Sequence, residues 1–183
     1  MSTVTHHTSI PSQQVPARGP AVTGRVAPYV WALVRVMLGF VFLWAFLDKL
    51  FGFGKATPAD KGWLDGGSPT TGFLKGVEGP FAGLFNDMAG HAWADWLFMI
   101  GLAGIGLALI LGIAMRPAAL FGAVLLVFMW MAVLPIATNP FLDEHLVYAV
   151  VLVGLAASYA GDTVGLGRWW GQTSLVRRAP YLR

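Results

Sequence analysis

Cysteine is absent from this 183-residue chain, and the absence excludes several classes of redox protein at once. Without cysteine thiolates there are no disulfides, no cysteine-held iron–sulfur clusters, no CxxC redox motif and no covalently attached c-type haem. Histidine is scarce as well, and only His145 falls at a predicted helix end, whereas a b-type haem needs two axial histidines. No P-loop, dinucleotide fingerprint or zinc motif is present. We therefore expect no haem, flavin, iron–sulfur cluster or metal site, so that any electrons are carried by a partner or a diffusible small molecule.

Charge is the second scarcity, because only 11% of the residues are charged while 56% are hydrophobic. Soluble domains carry about 25% charged residues, and a chain this poor in charge could not cover a water-exposed surface. A surface that faces lipid needs no such cover. The net charge of +3 does not point to nucleic acid, because the basic residues form no stripe and most of them lie near predicted membrane boundaries. The predicted partner is therefore the lipid bilayer, and nucleic acid is not expected.

Four long hydrophobic stretches predict the fold. They cover about residues 29–51, 96–115, 117–136 and 144–160, and the first, at about 1.5 Å per residue, reaches roughly the 30 Å of a hydrocarbon core. We therefore predict an all-α integral membrane protein, with a four-helix transmembrane bundle over residues 28–170. Arg116 and Pro117 are expected to separate the second helix from the third.

The remaining segments are predicted to lie outside the bilayer. Residues 1–27 are rich in Ser, Thr, Pro and Gln and predict a disordered cytoplasmic tail, and residues 171–183 predict a basic cytoplasmic tail. The outer loop, residues 52–95, is predicted to form an extracytoplasmic cap between the first two helices. Within it, Ser68-Pro69 and Gly79-Pro80 each indicate the start of a short helix.

The distribution of positive charge predicts the orientation in the cell membrane. With four crossings, both termini and the turn at Arg116 share one side. That side carries seven arginines (Arg18, Arg25, Arg116, Arg168, Arg177, Arg178 and Arg183) and the other side carries four lysines (Lys49, Lys55, Lys61 and Lys75). Because cytoplasmic flanks carry the excess of Lys and Arg, both termini are predicted to be cytoplasmic.

Five ionisable residues are predicted to gather at the outer ends of two helices. The first helix ends on Asp48 and Lys49, and the fourth begins at Asp143, Glu144 and His145. Antiparallel helices would place all five at a similar depth, where they could relay protons or polarise a carbonyl oxygen, with histidine as the group that titrates near neutral pH. The structural alternative is that Asp143 and Glu144 only favour a helix N-terminus and pair with Lys49.

Arg35 is the one charge well inside a predicted span. Charges at this depth are costly and need a reason. A structural role would be snorkelling toward the headgroups or pairing with Asp162. A functional role would be donation of a hydrogen bond to an anion or to a quinone oxygen inside the bundle. The sequence leaves both open.

Several segments resemble one family of small membrane proteins. The first helix, LVRVMLGFVFLWAFLDKLFGF, the GGSPTTGFL segment and the late NPFLDEHLVYAVVLVGLA are similar to the DoxX/DoxD family, over roughly residues 30–170. The resemblance implies a membrane subunit of a quinone-linked oxidoreductase, since DoxD is a subunit of a thiosulfate:quinone oxidoreductase. On this hypothesis quinone enters from the lipid, its ring lies against Phe42, Trp44 and Phe46, and a redox partner subunit takes part.

Two other functions stay open from the sequence. A non-catalytic scaffold that anchors a redox enzyme or a respiratory assembly fits the missing cysteine and the missing haem ligands equally well. Transport of a small molecule is the third hypothesis, but no broken helix or inverted repeat supports it.

Overall fold

The computed structural model describes residues 22–183, and every regular element within that range is helical. Four 3-10 turns accompany the α-helices, at Ala59–Lys61, Trp63–Asp65, Ala160–Asp162 and Pro180–Leu182. The α-helices in chain order are α1 (Val22–Phe51), α2 (Thr71–Lys75), α3 (Ala82–Met88), α4 (Ala92–Leu111), α5 (Met115–Ala132), α6 (Glu144–Ala157), α7 (Gly167–Gly171) and α8 (Ser174–Arg178).

Among the described residues, three helices are long and apolar enough to cross a membrane. They are Val26–Phe51 within α1, then α4 and α5. The shorter α6 is apolar but has only 14 residues, about 21 Å at the helical rise, against a hydrocarbon core of about 30 Å. The predicted class, an all-helical multi-pass membrane protein, is confirmed, and a fourth crossing stays a prediction.

The first helix begins earlier than the sequence predicted. Residues 22–27 belong to α1, although they were assigned to the N-terminal tail. Their mixed composition and the proline that follows favoured a loop, yet Pro28 is accommodated inside the helix. The rest of that predicted tail, residues 1–21, lies outside the described residues.

The turn between α4 and α5 is built on Gly112. This glycine adopts a φ of +73°, and its N–H donates to the carbonyl of Ala108 at 2.9 Å, which ends α4. Helix α5 then begins at Met115, so that Arg116 and Pro117 lie in its first turn. Helix α4 therefore ends at Leu111, before the predicted end at residue 115, because Gly112 stops it, whereas Pro117 lies in the first turn of the next helix as predicted.

The large helices pack as two close pairs, α1 with α4 and α5 with α6. Glycines allow the close approach: a Cβ added to Gly106 would lie 2.8 Å from the backbone nitrogen of Leu43, and one added to Gly39 would lie 2.9 Å from Ile110. On α5, a Cβ on Gly122 would lie 2.6 Å from Leu152. Helices in lipid associate by such packing, because the surrounding solvent is as apolar as they are.

Gly104 and Gly106 provide a test of this packing. We expect Gly106→Ala to destabilise the protein by about 1–3 kcal/mol, because the new methyl group overlaps the backbone of α1. The matched change Gly104→Ala meets no atom within 4 Å and should be neutral or stabilising by about 0.5–1 kcal/mol. Thermal unfolding of both variants in one detergent measures the difference. Equal stabilities would show that the α1–α4 contact is not tight.

The C-terminal segment, residues 158–183, folds back against the start of α5. The N–H of Arg116 donates to the carbonyl oxygen of Arg183 at 2.9 Å. Arg183 also pairs with Asp162 at 2.7 Å, and the Trp170 indole donates to the carbonyl of Leu182 at 2.8 Å. We call this end of the bundle, formed by the α4–α5 turn and residues 158–183, the tail end.

Helix α6 runs antiparallel to α5 over nearly the whole length of α5. Near the end of α5, the Trp130 indole donates to the carbonyl of Phe141, just before α6 begins. At the start of α5, the Arg116 guanidinium donates to the Tyr159 hydroxyl, just after α6 ends. The residues that follow α6 therefore lie at the tail end, near the start of α5.

Helices α2 and α3 cover the opposite end of the bundle, which we call the cap end. Leu74 and Val77 at α2 and Phe85 on α3 form a buried cluster with Ala94 of α4 and Ala132 of α5. The two short helices predicted after Ser68-Pro69 and Gly79-Pro80 are present.

Candidate functional site

A cavity of about 860 Å³ lies between α4 and α5. It exists because small residues of both helices face it, namely Gly101, Gly104, Ala108, Ala114 and Ala118. A Cβ added to Gly104 would meet no atom within 4 Å, so the face of α4 that carries Gly104 contacts no other helix at this position.

The cavity runs from the cap end to the tail end and is almost entirely apolar. Phe73, Leu74 and Phe85 of the α2–α3 segment line it at the cap end, and Ala114 lines it at the tail end. Its volume falls within the range of about 300–1,000 Å³ that is typical of small-molecule sites. Only the cap end carries a charged side chain on the wall, that of Lys49.

Lys49 lies at the last turn of α1, with its ammonium 5.9 Å from the centre of the Phe98 ring. Two ion pairs form within residues 22–183, Asp143–His145 and Asp162–Arg183, and neither includes Lys49. The ammonium has three donors and an aromatic face beside it. It is therefore available to a ligand oxygen in the cavity.

A polar network fixes the chain at the same mouth. Asp95, in the first turn of α4, accepts from the Thr70 hydroxyl at 2.6 Å, from the Thr70 N–H at 3.1 Å and from the Ser68 hydroxyl at 2.9 Å. Thr70 is buried and lines the cavity beside Lys49. The GGSPTTGFL segment stood out in the sequence but Asp95 did not, although an acid in the first turn of a predicted helix was the available signal.

Asp48, which precedes Lys49 in the chain, is buried but does not line the cavity. Its side chain is 1% exposed, and one carboxylate oxygen accepts from the N–H of Thr57 at 2.8 Å. The other oxygen, Oδ1, has no hydrogen-bond partner within the described part of the chain. Asp48 thus holds the chain that leaves α1 and retains one free acceptor.

Asp143, Glu144 and His145 form the start of α6. The Asp143 carboxylate accepts from the N–H groups of His145 and Leu146, which is an N-cap, and lies 2.6 Å from Nδ1 of His145. Glu144 is exposed. In residues 22–183, no side-chain hydrogen bond or ion pair joins these three to Asp48 or Lys49, so the structure shows two separate groups. Joint action of the five residues stays a prediction.

Arg35 is fully buried, and within residues 22–183 its hydrogen bonds all go to backbone carbonyls. Its guanidinium donates to Leu109, to Ile110 at 3.0 Å and to Val164 at 2.7 Å. It therefore does not snorkel to the surface, and Asp162, the expected partner, pairs with Arg183 instead. The glycines around it leave room for the guanidinium, since a Cβ on Gly112 would lie 2.8 Å from Nη1. Arg35 does not line the cavity, so the structural role is the one that the geometry supports.

Phe42, Trp44 and Phe46 do not share one surface. Phe42 is buried in the main core, Phe46 packs against that core, and Trp44 is 38% exposed and stacks on Phe53 at 5.7 Å. Residues two apart on a helix point in nearly opposite directions, which separates Trp44 from the other two. None of the three lines the cavity, where Phe98 provides the aromatic face instead.

Comparison with known proteins identifies one family. The family model DoxX matches residues 30–135, which contain α1 from Val30 onward, the cap end and α5. No curated protein and no solved structure matches the chain. The match covers Lys49 and the α4–α5 cavity, so both belong to the segment that defines the family.

Proposed function

The chain belongs to the DoxX family of membrane proteins, and from this premise we propose that it is a membrane subunit of a quinone-linked oxidoreductase that binds quinone between α4 and α5. The observation that carries the proposal is the cavity, which is apolar along the bundle and has a single ammonium, that of Lys49, at the cap end. A quinone is likewise polar at one end and apolar along the rest, because its ring carries the oxygens and its long tail is a hydrocarbon.

The cavity residues fit each part of such a ligand. The Lys49 ammonium can donate to a ring oxygen, and the Phe98 face supports the ring beside it. The Thr70 hydroxyl gives its hydrogen to Asp95, which leaves its oxygen free to accept from a ring hydroxyl. The tail would lie along Gly104 and Ala108, where the wall of α4 is open toward lipid.

The redox balance requires an electron donor outside this chain. Reduction of a bound quinone consumes two electrons and two protons, and two thiosulfate anions release two electrons when one S–S bond joins them. With no cysteine in the chain, a partner subunit would deliver those electrons. Asp48, with its free carboxylate oxygen, and the Asp143–His145 pair are the candidates for proton exchange at the cap end. The α2–α3 segment would exclude bulk water from the mouth.

The proposal includes a topology. Helix α6 would complete a fourth crossing with the residues that follow it, both termini would be cytoplasmic, and the α2–α3 segment would be extracytoplasmic in the cell membrane. The arginines at the tail end support this orientation under the positive-inside rule.

Quinone reduction in liposomes tests the proposal with a cavity-filling variant. Purified protein with its copurified partners is reconstituted with quinone, and reduction is followed by absorbance with thiosulfate or another reduced sulfur donor. Gly104→Leu projects into the cavity, and we expect it to weaken quinone binding about tenfold, as an overlap of about 1.4 kcal/mol would. Gly104→Ala is the control, since it keeps most of the space.

The same measurement separates an enzyme subunit from a scaffold. A scaffold would keep its partners but show no quinone binding, and Gly104→Leu would then change nothing. Quenching of tryptophan fluorescence by a short-tailed quinone reports binding without turnover, with Trp93 on the cavity wall as the nearest reporter. Absence of quenching in the folded wild-type protein would overturn the proposal.

A further inference from the structure

A second groove, separate from the α4–α5 cavity, lies between α5 and α6 at the tail end. It encloses about 390 Å³, and its wall includes Ala119 and Ala123 of α5 and Ala156 and Ala157 of α6. Arg116 and Tyr159 lie at its tail end. From Arg116 to Ala123 the groove follows α5 for about 10 Å, two turns into the apolar part of the helix.

Positive charge is concentrated where this groove begins. The first turn of α5 and residues 158–183 carry five arginines (Arg116, Arg168, Arg177, Arg178 and Arg183) but only one acidic side chain, that of Asp162. That acid is already paired with Arg183. The other four arginines have no carboxylate within ion-pair distance, and all nine acids of the chain lie in the described range.

Arg116 is held in place at the mouth of the groove. Its guanidinium donates to the carbonyl of Pro180 at 3.2 Å and to the Tyr159 hydroxyl at 3.3 Å, and lies 5.9 Å from the Tyr159 ring centre. Arg183 lies over the same ring at 4.9 Å. Two guanidinium groups beside one tyrosine and an apolar groove suit an anionic group with an apolar chain attached.

We propose that this groove binds one anionic glycerophospholipid, with its phosphate on Arg116 and the Tyr159 hydroxyl and one acyl chain along the alanines. A guanidinium binds phosphate oxygens through two parallel N–H donors. Basic pockets between helices at a membrane surface are suited to anionic headgroups. The charge favours an anionic lipid over a zwitterionic one, because the one acidic side chain at the tail end, Asp162, is already paired with Arg183 and does not bind a choline group. The site does not depend on the redox proposal.

Native mass spectrometry with phosphatidylglycerol or phosphatidylcholine tests the site. We expect one phosphatidylglycerol to remain bound to the wild-type protein under conditions that remove phosphatidylcholine. Arg116→Gln should weaken phosphatidylglycerol binding about fivefold, as expected for one arginine near an anionic surface. Arg178→Gln removes the same charge from the exposed face of α8, outside the groove, and should leave binding unchanged.

A second variant keeps the test independent of the contacts that Arg116 makes within the chain. Ala123→Leu retains every arginine, is partly exposed on α5 and narrows the groove, so it should also weaken binding of phosphatidylglycerol. Thermal unfolding of each variant confirms that it is folded. The proposal is overturned if both lipids bind equally, if Arg178→Gln weakens binding as much as Arg116→Gln, or if folded Ala123→Leu binds like wild type.

Discussion

Replacing Arg35 by alanine is expected to lower the free energy of unfolding by about 3 kcal/mol or more. The substitution leaves the carbonyls of Leu109, Ile110 and Val164 without their donor, and an unsatisfied buried group costs about 1–3 kcal/mol. It also empties a fully buried side-chain volume and removes the cation beside the last carbonyls of α4, where a positive charge is favoured. Thermal or denaturant unfolding in a fixed detergent measures the loss.

Arg177→Ala is the matched control for Arg35. It removes the same side chain from an exposed site on α8, and it should change the stability by no more than about 0.5 kcal/mol. Arg35→Lys should recover only part of the lost stability. A single ammonium cannot reproduce the two Nη groups of arginine, which reach carbonyls on α4 and on the loop after α6. If Arg35→Ala and Arg177→Ala had the same stability, the hydrogen bonds of the buried guanidinium would not stabilise the fold as its contacts indicate.

Replacing Lys49 by methionine is expected to weaken quinone binding roughly tenfold to hundredfold. Methionine keeps the length and the apolar stem but removes the ammonium that faces the cavity, and a hydrogen bond from a charged donor contributes about 1.5–3 kcal/mol. Stability should be little changed, since Lys49 forms no ion pair within residues 22–183. Fluorescence titration with a short-tailed quinone gives the affinities.

The control for Lys49 is Lys55→Met, which makes the same change of charge on the exposed chain after α1. It should bind quinone like wild type. Equal weakening by both variants would indicate a general effect of charge at the cap end rather than a contact in the cavity. Unchanged binding in Lys49→Met would mean that the ring lies elsewhere in the bundle.

Much of the fold followed from composition and hydrophobic length, because lipid forces backbone groups to pair within a helix. The helix ends did not follow. Gly112 lies within the predicted second helix, residues 96–115, but adopts a positive φ and terminates α4, because composition alone does not distinguish a glycine inside a helix from one that ends it. Residues 22–27 were assigned to a tail because the prediction relied on the composition of residues 1–27, which does not show that the first helix extends back to Val22.

The candidate site was only partly predictable for a related reason. Lys49 was identified because a charge near a span needs a partner or a function. The cavity was not identified, because a run of small residues reads the same whether a helix or an open space lies opposite. A pair between Arg35 and Asp162 was one of the alternatives that the sequence left open. In the structure Arg35 binds backbone carbonyls and Asp162 binds Arg183, which depends on the fold of residues 158–183.

The two helix pairs, α1–α4 and α5–α6, are held together by different contacts at the two ends of the cavity. At the tail end they are joined by the hydrogen bonds from Arg35 to backbone carbonyls, by the close contact of Gly112 with Gly161 and by the hydrogen bond from the N–H of Arg116 to Arg183. At the cap end the α2–α3 segment is hydrogen-bonded to α4 through Ser68, Thr70 and Asp95, whereas its contacts with α5 are made by apolar side chains such as Phe85 and are not directional. We therefore expect the α1–α4 and α5–α6 pairs to separate more readily at the cap end, near Lys49, than at the tail end. Such a separation would let a long-tailed molecule enter the cavity from the lipid.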